Sequence, residues 1–356
     1  MNVDSSTTKV SARPAMPRHA SIQRLLAMAS GYWVASSLHT AAGLGIADLL
    51  TAGPQAADEL ARATRTDRDA LRRLLRMLAA HGVFAEREDG RFEQTELSTL
   101  LCEDAPQSLR SILLMYGSEV WRVPWGQMLH SIRTGETAFS RVHGVELFEY
   151  MKVDGEFAAT FNRAMTEGSI RLAAEIVAAY DFSHFTTIVD VGGGQGWLLS
   201  EILRTAPAAR GVLVDLPHVI EAARALVDER GVADRCKLVG GSFFEAVPAG
   251  GDAYVMKWIV HDWDDEDATR ILRSVRAAVP PSGRLIVFDR VLPERITEGD
   301  PLDQSGTLMD INMLVNVTGR ERTEAEFRTL FAGAGFSLTS VRSTPSGLGI
   351  IEGRPT

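Results

Sequence analysis

The spacing of apolar residues along the chain changes near residue 180. Before that point it is helical. IQRLLAMASGYWVASSLHTAAGLGIADLL carries enough Ile, Leu, Met, Trp and Val for one or two buried helices, with Gly43 and Gly45 as breaks. AADELARA and DRDALRRLLRMLAAHGVF predict two short amphipathic helices, the second capped by Asp67. FAEREDGRFEQT alternates around Asp89-Gly90 and predicts a two-stranded hairpin. Helix, turn, helix and wing describe a winged-helix domain, otherwise all-helical, over residues 19–104. Residues 105–180 predict helices throughout, rich in large apolar side chains, and read as a linking or substrate-binding region.

Beyond residue 180 the pattern becomes short β-branched runs: TTIVDVGG, GVLVDL, CKLVGGSF, AYVMKWI and RLIVFDRV. Helix-length segments separate them, so they predict a parallel sheet covered on both faces. FSLTSVRST and LGIIEGRP have no helix between them and are expected to pair antiparallel at one edge. Residues 181–356 therefore predict a seven-stranded, doubly wound α/β domain. Residues 1–18 are polar and predict a disordered tail.

The net charge of −9 and pI near 5.5 argue against a grip on nucleic acid, which needs a field of Lys and Arg. Cys102 and Cys236 are far apart, with no neighbours at metal-ligand spacing, so neither a disulfide framework nor a metal is expected. No apolar run approaches the roughly 20 residues of a membrane span, and the N-terminus lacks the apolar core of a signal peptide. A cytoplasmic protein is expected.

In VDVGGGQGW an apolar strand ends in Asp190 and the cluster Gly192, Gly193, Gly194 and Gly196, and a helix follows. Such a turn lets a nucleotide-type ligand approach the backbone at the carboxyl end of the strand. The dinucleotide fingerprint fails, because Trp197 and Leu199 stand where its third glycine belongs. Asp215 closes the second strand, where a carboxylate can accept from both hydroxyls of a ribose.

In their order, VDVGGGQG, VDLPHVI, MKWIVHDW with its acidic tail, and GRERTEAEF resemble the S-adenosylmethionine (SAM)-dependent small-molecule O-methyltransferases. These include plant caffeic acid and flavonoid enzymes and bacterial enzymes of aromatic polyketide and antibiotic biosynthesis. The resemblance implies a Rossmann-like SAM domain and a homodimer formed through the N-terminal domain. It assigns Asp190, Gly192, Gly194, Asp215, Leu216, Ser242, Phe243 and Lys257 to the cofactor, with Ser242 where the family usually has Asp. It assigns Met115, Trp121, Phe161, Met165, Trp263, Ile311, Asn312 and Asn316 to a small aromatic substrate.

SAM carries an activated methyl group, so the protein must position a nucleophile in line with it and remove the nucleophile's proton. His261, after the fourth strand, matches the family's catalytic base; a histidine near 6.5 suits a phenol near 10. The resemblance gives it two acidic supports, Glu321 and Asp289, the latter a methylene shorter than the Glu of plant members. An isolated histidine at a strand end is more often a packing residue; the position before Asp262 and Trp263 reverses those odds. The acidic run 264–267 reads as the first turn of a helix. Three alternatives stay open at this point. They are N- or C-methylation, a SAM-assisted hydroxylation or decarboxylation, and a ligand-sensing regulator whose second helix offers Arg72, Arg73 and Arg76 to DNA.

Overall fold

A computed structural model describes residues 17–356, so all but the end of the tail expected over residues 1–18 lies outside the described residues. Arg18 already opens a helix, Arg18–Ala29. Described residues up to Leu97 form one compact unit and Ser98–Thr356 a second.

The first unit is built on short amphipathic helices. Ala57–Thr64 and Arg68–Ala80 bury Leu60, Leu71, Leu75 and Leu78 on their facing stripes. Asp67 caps the second of these helices, accepting from the Ala70 amide at 2.8 Å. The predicted hairpin is strands β1 (Phe84–Glu86) and β2 (Phe92–Gln94), antiparallel, with Gly90 at φ 78° in the turn and Phe84 and Phe92 fully buried. Apart from this hairpin and an isolated bridge from Gln55 to Phe92, the regular structure of the described unit is helical. Arg72 and Arg76, two of the three arginines that suggested a DNA-reading face, both pair with Glu86. Helix Arg18–Ala29 buries none of its side chains, and Ile22, Leu25, Leu26 and Met28 are exposed.

In the second unit, helices fill residues 110–179, ending in the long helix Gly155–Ala179. The five expected parallel strands follow: β3 (Thr187–Val191), β4 (Arg210–Asp215), β5 (Cys236–Gly240), β6 (Ala253–Lys257) and β7 (Arg284–Leu292). A two-residue strand β8 (Arg322–Thr323) pairs with the end of β7. The closing hairpin is β9 (Phe336–Ser343) and β10 (Leu348–Pro355). The order is β5-β4-β3-β6-β7-β10-β9, so β10 inserts between β7 and β9 as the reversed strand.

Period-two alternation divides the strands between two cores. Ile188, Val255, Ile286 and Phe288 face one, while Val189, Val191, Tyr254, Met256 and Val287 face the other. Strand order reverses between β3 and β6, and a crevice at the carboxyl ends of such strands is where ligands of open α/β sheets bind. Both the glycine turn after β3 and the histidine segment after β6 open there.

Candidate active site

The turn after β3 holds Gly192, Gly194 and Gly196 at φ 71°, 59° and 85°. Space also requires glycine: a Cβ on Gly192 would lie 2.5 Å from Ile259 Cδ1, and one on Gly193 2.5 Å from Asp190 Oδ2. Asp215 ties the turn to β4, its two oxygens accepting from the Gly194 amide at 2.8 Å and the Leu216 amide at 2.7 Å. Ser242 spends its hydroxyl locally, accepting from the Phe244 amide at 3.3 Å. Phe243 reaches back to the glycine turn, its ring 3.4 Å from where a Gly192 Cβ would stand.

Asp190 lies beneath this turn, 1% exposed, with neither carboxylate oxygen hydrogen-bonded. Burial pushes its carboxyl up to about 7, against the pull of Lys257; burial likewise lowers Lys257 to about 8, against the pull of Asp190. The Lys257 ammonium sits 4.0 Å from the centre of the Trp258 ring. Trp258 itself has φ 55°, a left-handed conformation that strains a bulky residue. Its amide donates to Phe288 O at 3.0 Å, and its indole fits where a Cβ on Gly168 would be 2.5 Å away. This turn changes the chain's direction at the sheet edge and leads it into the short helix Val260–Asp262.

His261, 8% exposed, has Nδ1 2.9 Å from Glu321 Oε1 and Nε2 3.5 Å from Asp262 Oδ1. With Nδ1–H donating to Glu321, Nε2 is left to accept a proton. Asp289 reaches His261 differently from the sequence expectation. Its Oδ2 accepts from the His261 backbone amide at 3.2 Å, so it anchors the main chain and does not orient the ring. The other oxygens of Asp289 and Glu321 are buried without partners. Burial disfavours the imidazolium, but Glu321, then Asp262 and Asp289, outweigh it and raise His261 to about 10. Burial in turn lifts Asp262 to about 6 and Asp289 to about 7.

Three residues of GRERT hold this arrangement. Gly319 lies against the histidine backbone, where a Cβ would sit 1.9 Å from His261 O, and the Arg320 amide donates to that same oxygen at 2.9 Å. Arg322, 1% exposed, donates to Val260 O at 3.0 Å, to Trp263 O at 2.9 Å and to Asp265 Oδ1 at 2.8 and 2.9 Å. It clamps both ends of the histidine segment. Glu321 stands between these residues and is held by Asp310, which accepts from its amide at 2.9 Å. The neighbouring acidic run is structural, with Asp264 capping helix Asp265–Ala278.

His261, Asp262 and Glu321 line one side of a cavity of about 160 Å³. Of the residues expected at the substrate, Met115, Trp121, Phe161, Met165 and Asn312 line it. Trp121 Nε1–H donates to Asn312 Oδ1 at 3.2 Å. Asn316 stands behind, donating to the same oxygen at 3.1 Å, and Ile311 and Asn316 are not in the lining. Trp263 is also outside it; it stacks on Phe148 at 5.3 Å and meets Phe243 edge-on, toward the glycine turn. The sequence reading missed Tyr116, Trp258, Arg290, Met309 and Met313 in the lining. With Met115 and Met165, the last two make four adaptable methionines around the space.

Residues 125–337 match the O-methyltransferase domain family, and residues 26–104 match the O-methyltransferase dimerisation domain. The chain belongs to the O-methyltransferase family. It is a SAM-dependent O-methyltransferase. It is similar to the phenazine O-methyltransferase PhzM of Lysobacter antibioticus, 46% identical over 93% of this chain and 95% of that one. The solved structure of LaPhzM superposes with a TM-score of 0.89 at 45% identity, covering 96% of this chain and 100% of the other. An O-methyltransferase from neocarzinostatin biosynthesis, solved with SAM and 2-hydroxy-5-methyl naphthoic acid, has a TM-score of 0.78 at 32% identity, covering 91% and 96%. Helices Ala57–Thr64 and Arg68–Ala80 of this methyltransferase therefore belong to a dimerisation domain. Its site suits a cationic cofactor: carboxylate oxygens of Asp190, Asp289 and Glu321 are buried and unpartnered, and the glycine turn leaves backbone open beside them.

Proposed function

We propose that the enzyme methylates a phenolic hydroxyl of a small aromatic natural-product intermediate, with His261 as general base. The observation that carries this reading is the buried pair of His261 Nδ1 and Glu321 Oε1 at 2.9 Å, on the wall of an apolar, aromatic-lined cavity. Relatives named for phenazine and naphthoic acid chemistry support the aromatic acceptor.

SAM supplies a methyl group on a sulfonium cation. Glu321 fixes the tautomer, leaving Nε2 to take the phenol proton, and stabilises the imidazolium that results. With three carboxylates around it, His261 holds its proton to about 10. The positive charge of bound SAM would oppose that proton and favour the neutral imidazole, the form a base requires. Asp289, Gly319 and Arg322 keep the histidine segment in place. Met115, Met165 and Trp121 hold a flat ring and keep water away from it.

We also infer a homodimer through the dimerisation domain, since the exposed Ile22, Leu25, Leu26 and Met28 of helix Arg18–Ala29 offer an apolar stripe for a second copy to cover.

The test is incubation of a panel of phenolic metabolites with SAM and the protein, followed by mass spectrometry. A gain of one methyl on a phenol is expected. His261→Ala should lower turnover by roughly 10²- to 10⁴-fold while SAM binding stays within a few-fold. Equal turnover by the variant would dismiss the proposed base.

A further inference from the structure

The cavity that holds the acceptor is apolar apart from a few groups, and their charges are unevenly placed. His261, Asp262 and Glu321 stand together. The lining contains a single arginine, Arg290, and no lysine. Arg290 follows Asp289 on β7, so the alternation of the strand sends its side chain away from the carboxylate cluster.

Two glycines make room for this side chain. A Cβ on Gly306 would stand 2.9 Å from Arg290 Cδ, and one on Gly347 would stand 3.2 Å from its Nη1. The guanidinium thus occupies a shaped slot between helix Pro301–Asn316 and the turn before β10. Among the described residues nothing forms an ion pair or hydrogen bond with it. Most other well-placed arginines of this unit are spent on the protein itself, as Arg322, Arg235 and Arg276 are. A half-buried guanidinium that is sterically seated and electrostatically unmatched, beside a substrate cavity, is a receptor for an anion.

We propose that the acceptor is a hydroxy-substituted aromatic acid whose carboxylate pairs with Arg290 while its hydroxyl faces His261. This rests on the proposed hydroxyl methylation and adds the substrate class. The two ends of the pocket cooperate in orientation. A carboxylate turned toward Asp262, Asp289 and Glu321 would meet like charge, so the ring enters with its acid group toward Arg290. It follows that the ring hydroxyl receives the methyl group and the carboxylate does not. The volume of about 160 Å³ is close to that of cavities that hold one benzene ring, so one- or two-ring acids suit it, the methionines yielding for the larger.

The experiment compares one- and two-ring hydroxy acids (hydroxybenzoates and hydroxynaphthoates) with their methyl esters, in wild type, Arg290→Gln and Arg290→Lys. Wild type should favour the acids by at least roughly tenfold in kcat/KM. Arg290→Gln should raise KM for the acids roughly 10- to 100-fold and by much less for the esters, and Arg290→Lys should recover part of the loss. Equal use of acids and esters by wild type, or an equal loss for both in Arg290→Gln, overturns the proposal. Calorimetric binding of 2-naphthoate against methyl 2-naphthoate reads the anion site without any methyl transfer. Naphthoate binding that depends on Arg290 supports the site even if no hydroxyl is methylated, in which case the hydroxyl reading alone fails. Equal binding of acid and ester overturns the site whatever the chemistry.

Discussion

Replacing Glu321 by Gln removes one charge and leaves the side chain almost the same shape, so it isolates what the carboxylate does for His261. The two groups are 2.9 Å apart, with His261 8% and Glu321 2% exposed, so solvent screens them little. Among the carboxylates that hold His261 up at about 10, Glu321 contributes most. An opposite charge at this range moves a pKa by about 1–3 units. In Glu321→Gln the imidazole should therefore lose its proton about 1–3 units lower, while Asp262 and Asp289 still hold it above the ordinary value. The sign is fixed by the direction of the shift. The interaction favours the protonated ring, and its removal moves deprotonation to lower pH. At about 1.4 kcal/mol per unit, the imidazolium formed during turnover loses about 1.4–4 kcal/mol of support, so kcat should fall roughly 10- to 10³-fold. Nitrogen NMR of labelled histidine, with His261→Gln to assign the signal, reads the titration without an acceptor. An identical His261 titration in wild type and Glu321→Gln would mean that the Glu321 carboxylate does not hold the proton.

Gly319→Ala would force a Cβ to 1.9 Å from His261 O and should cost more than the 1–3 kcal/mol of ordinary overpacking; thermal denaturation should show a lower Tm, with activity lost along with it. Arg322→Met keeps much of the volume but leaves Val260 O and Trp263 O without their donors, so denaturant titration should show a loss of about 3–5 kcal/mol; unchanged stability would mean that the clamp is idle. Ser242→Asp places a carboxylate where the family usually has one, and calorimetry should show SAM bound roughly 10-fold more tightly; unchanged affinity would mean that the locally bonded serine already serves.

Much of this site was legible in the sequence because the chemistry sits where strands end. β-branched runs separated by helices define the parallel sheet; Asp215 ends one strand that such runs predict, and Gly192 and His261 come shortly after two others. Glu321 was legible through its motif alone, since β8 is only two residues long and leaves no periodicity to read. Asp289 was legible as an acidic neighbour of His261, but its motif does not say whether the carboxylate meets the imidazole or, as found, the backbone amide. Gly319 and Arg322 were seen only as neighbours of Glu321; their function comes from the histidine segment folding back against them, a contact between distant parts of the chain. The substrate wall was the least readable part. Met309 and Asn312 line the cavity while Ile311 and Asn316 on the same helix do not, a distinction set by rotation of that helix against its neighbours. Arg290 is marked out by the slot between Gly306 and Gly347, which joins segments too far apart in the chain for spacing to show it.

Methyl transfer assisted by His261 should leave the SAM methyl group on oxygen. Its most direct measurement uses SAM carrying a carbon-13 methyl group, with the acceptor found in the phenol panel, and NMR of the product in wild type and His261→Gln. One labelled methoxy carbon on the ring hydroxyl is expected, formed roughly 10²- to 10⁴-fold more slowly by the variant. Label on nitrogen or ring carbon, consumption of the acceptor with no label gained, or equal rates in the two proteins would contradict it.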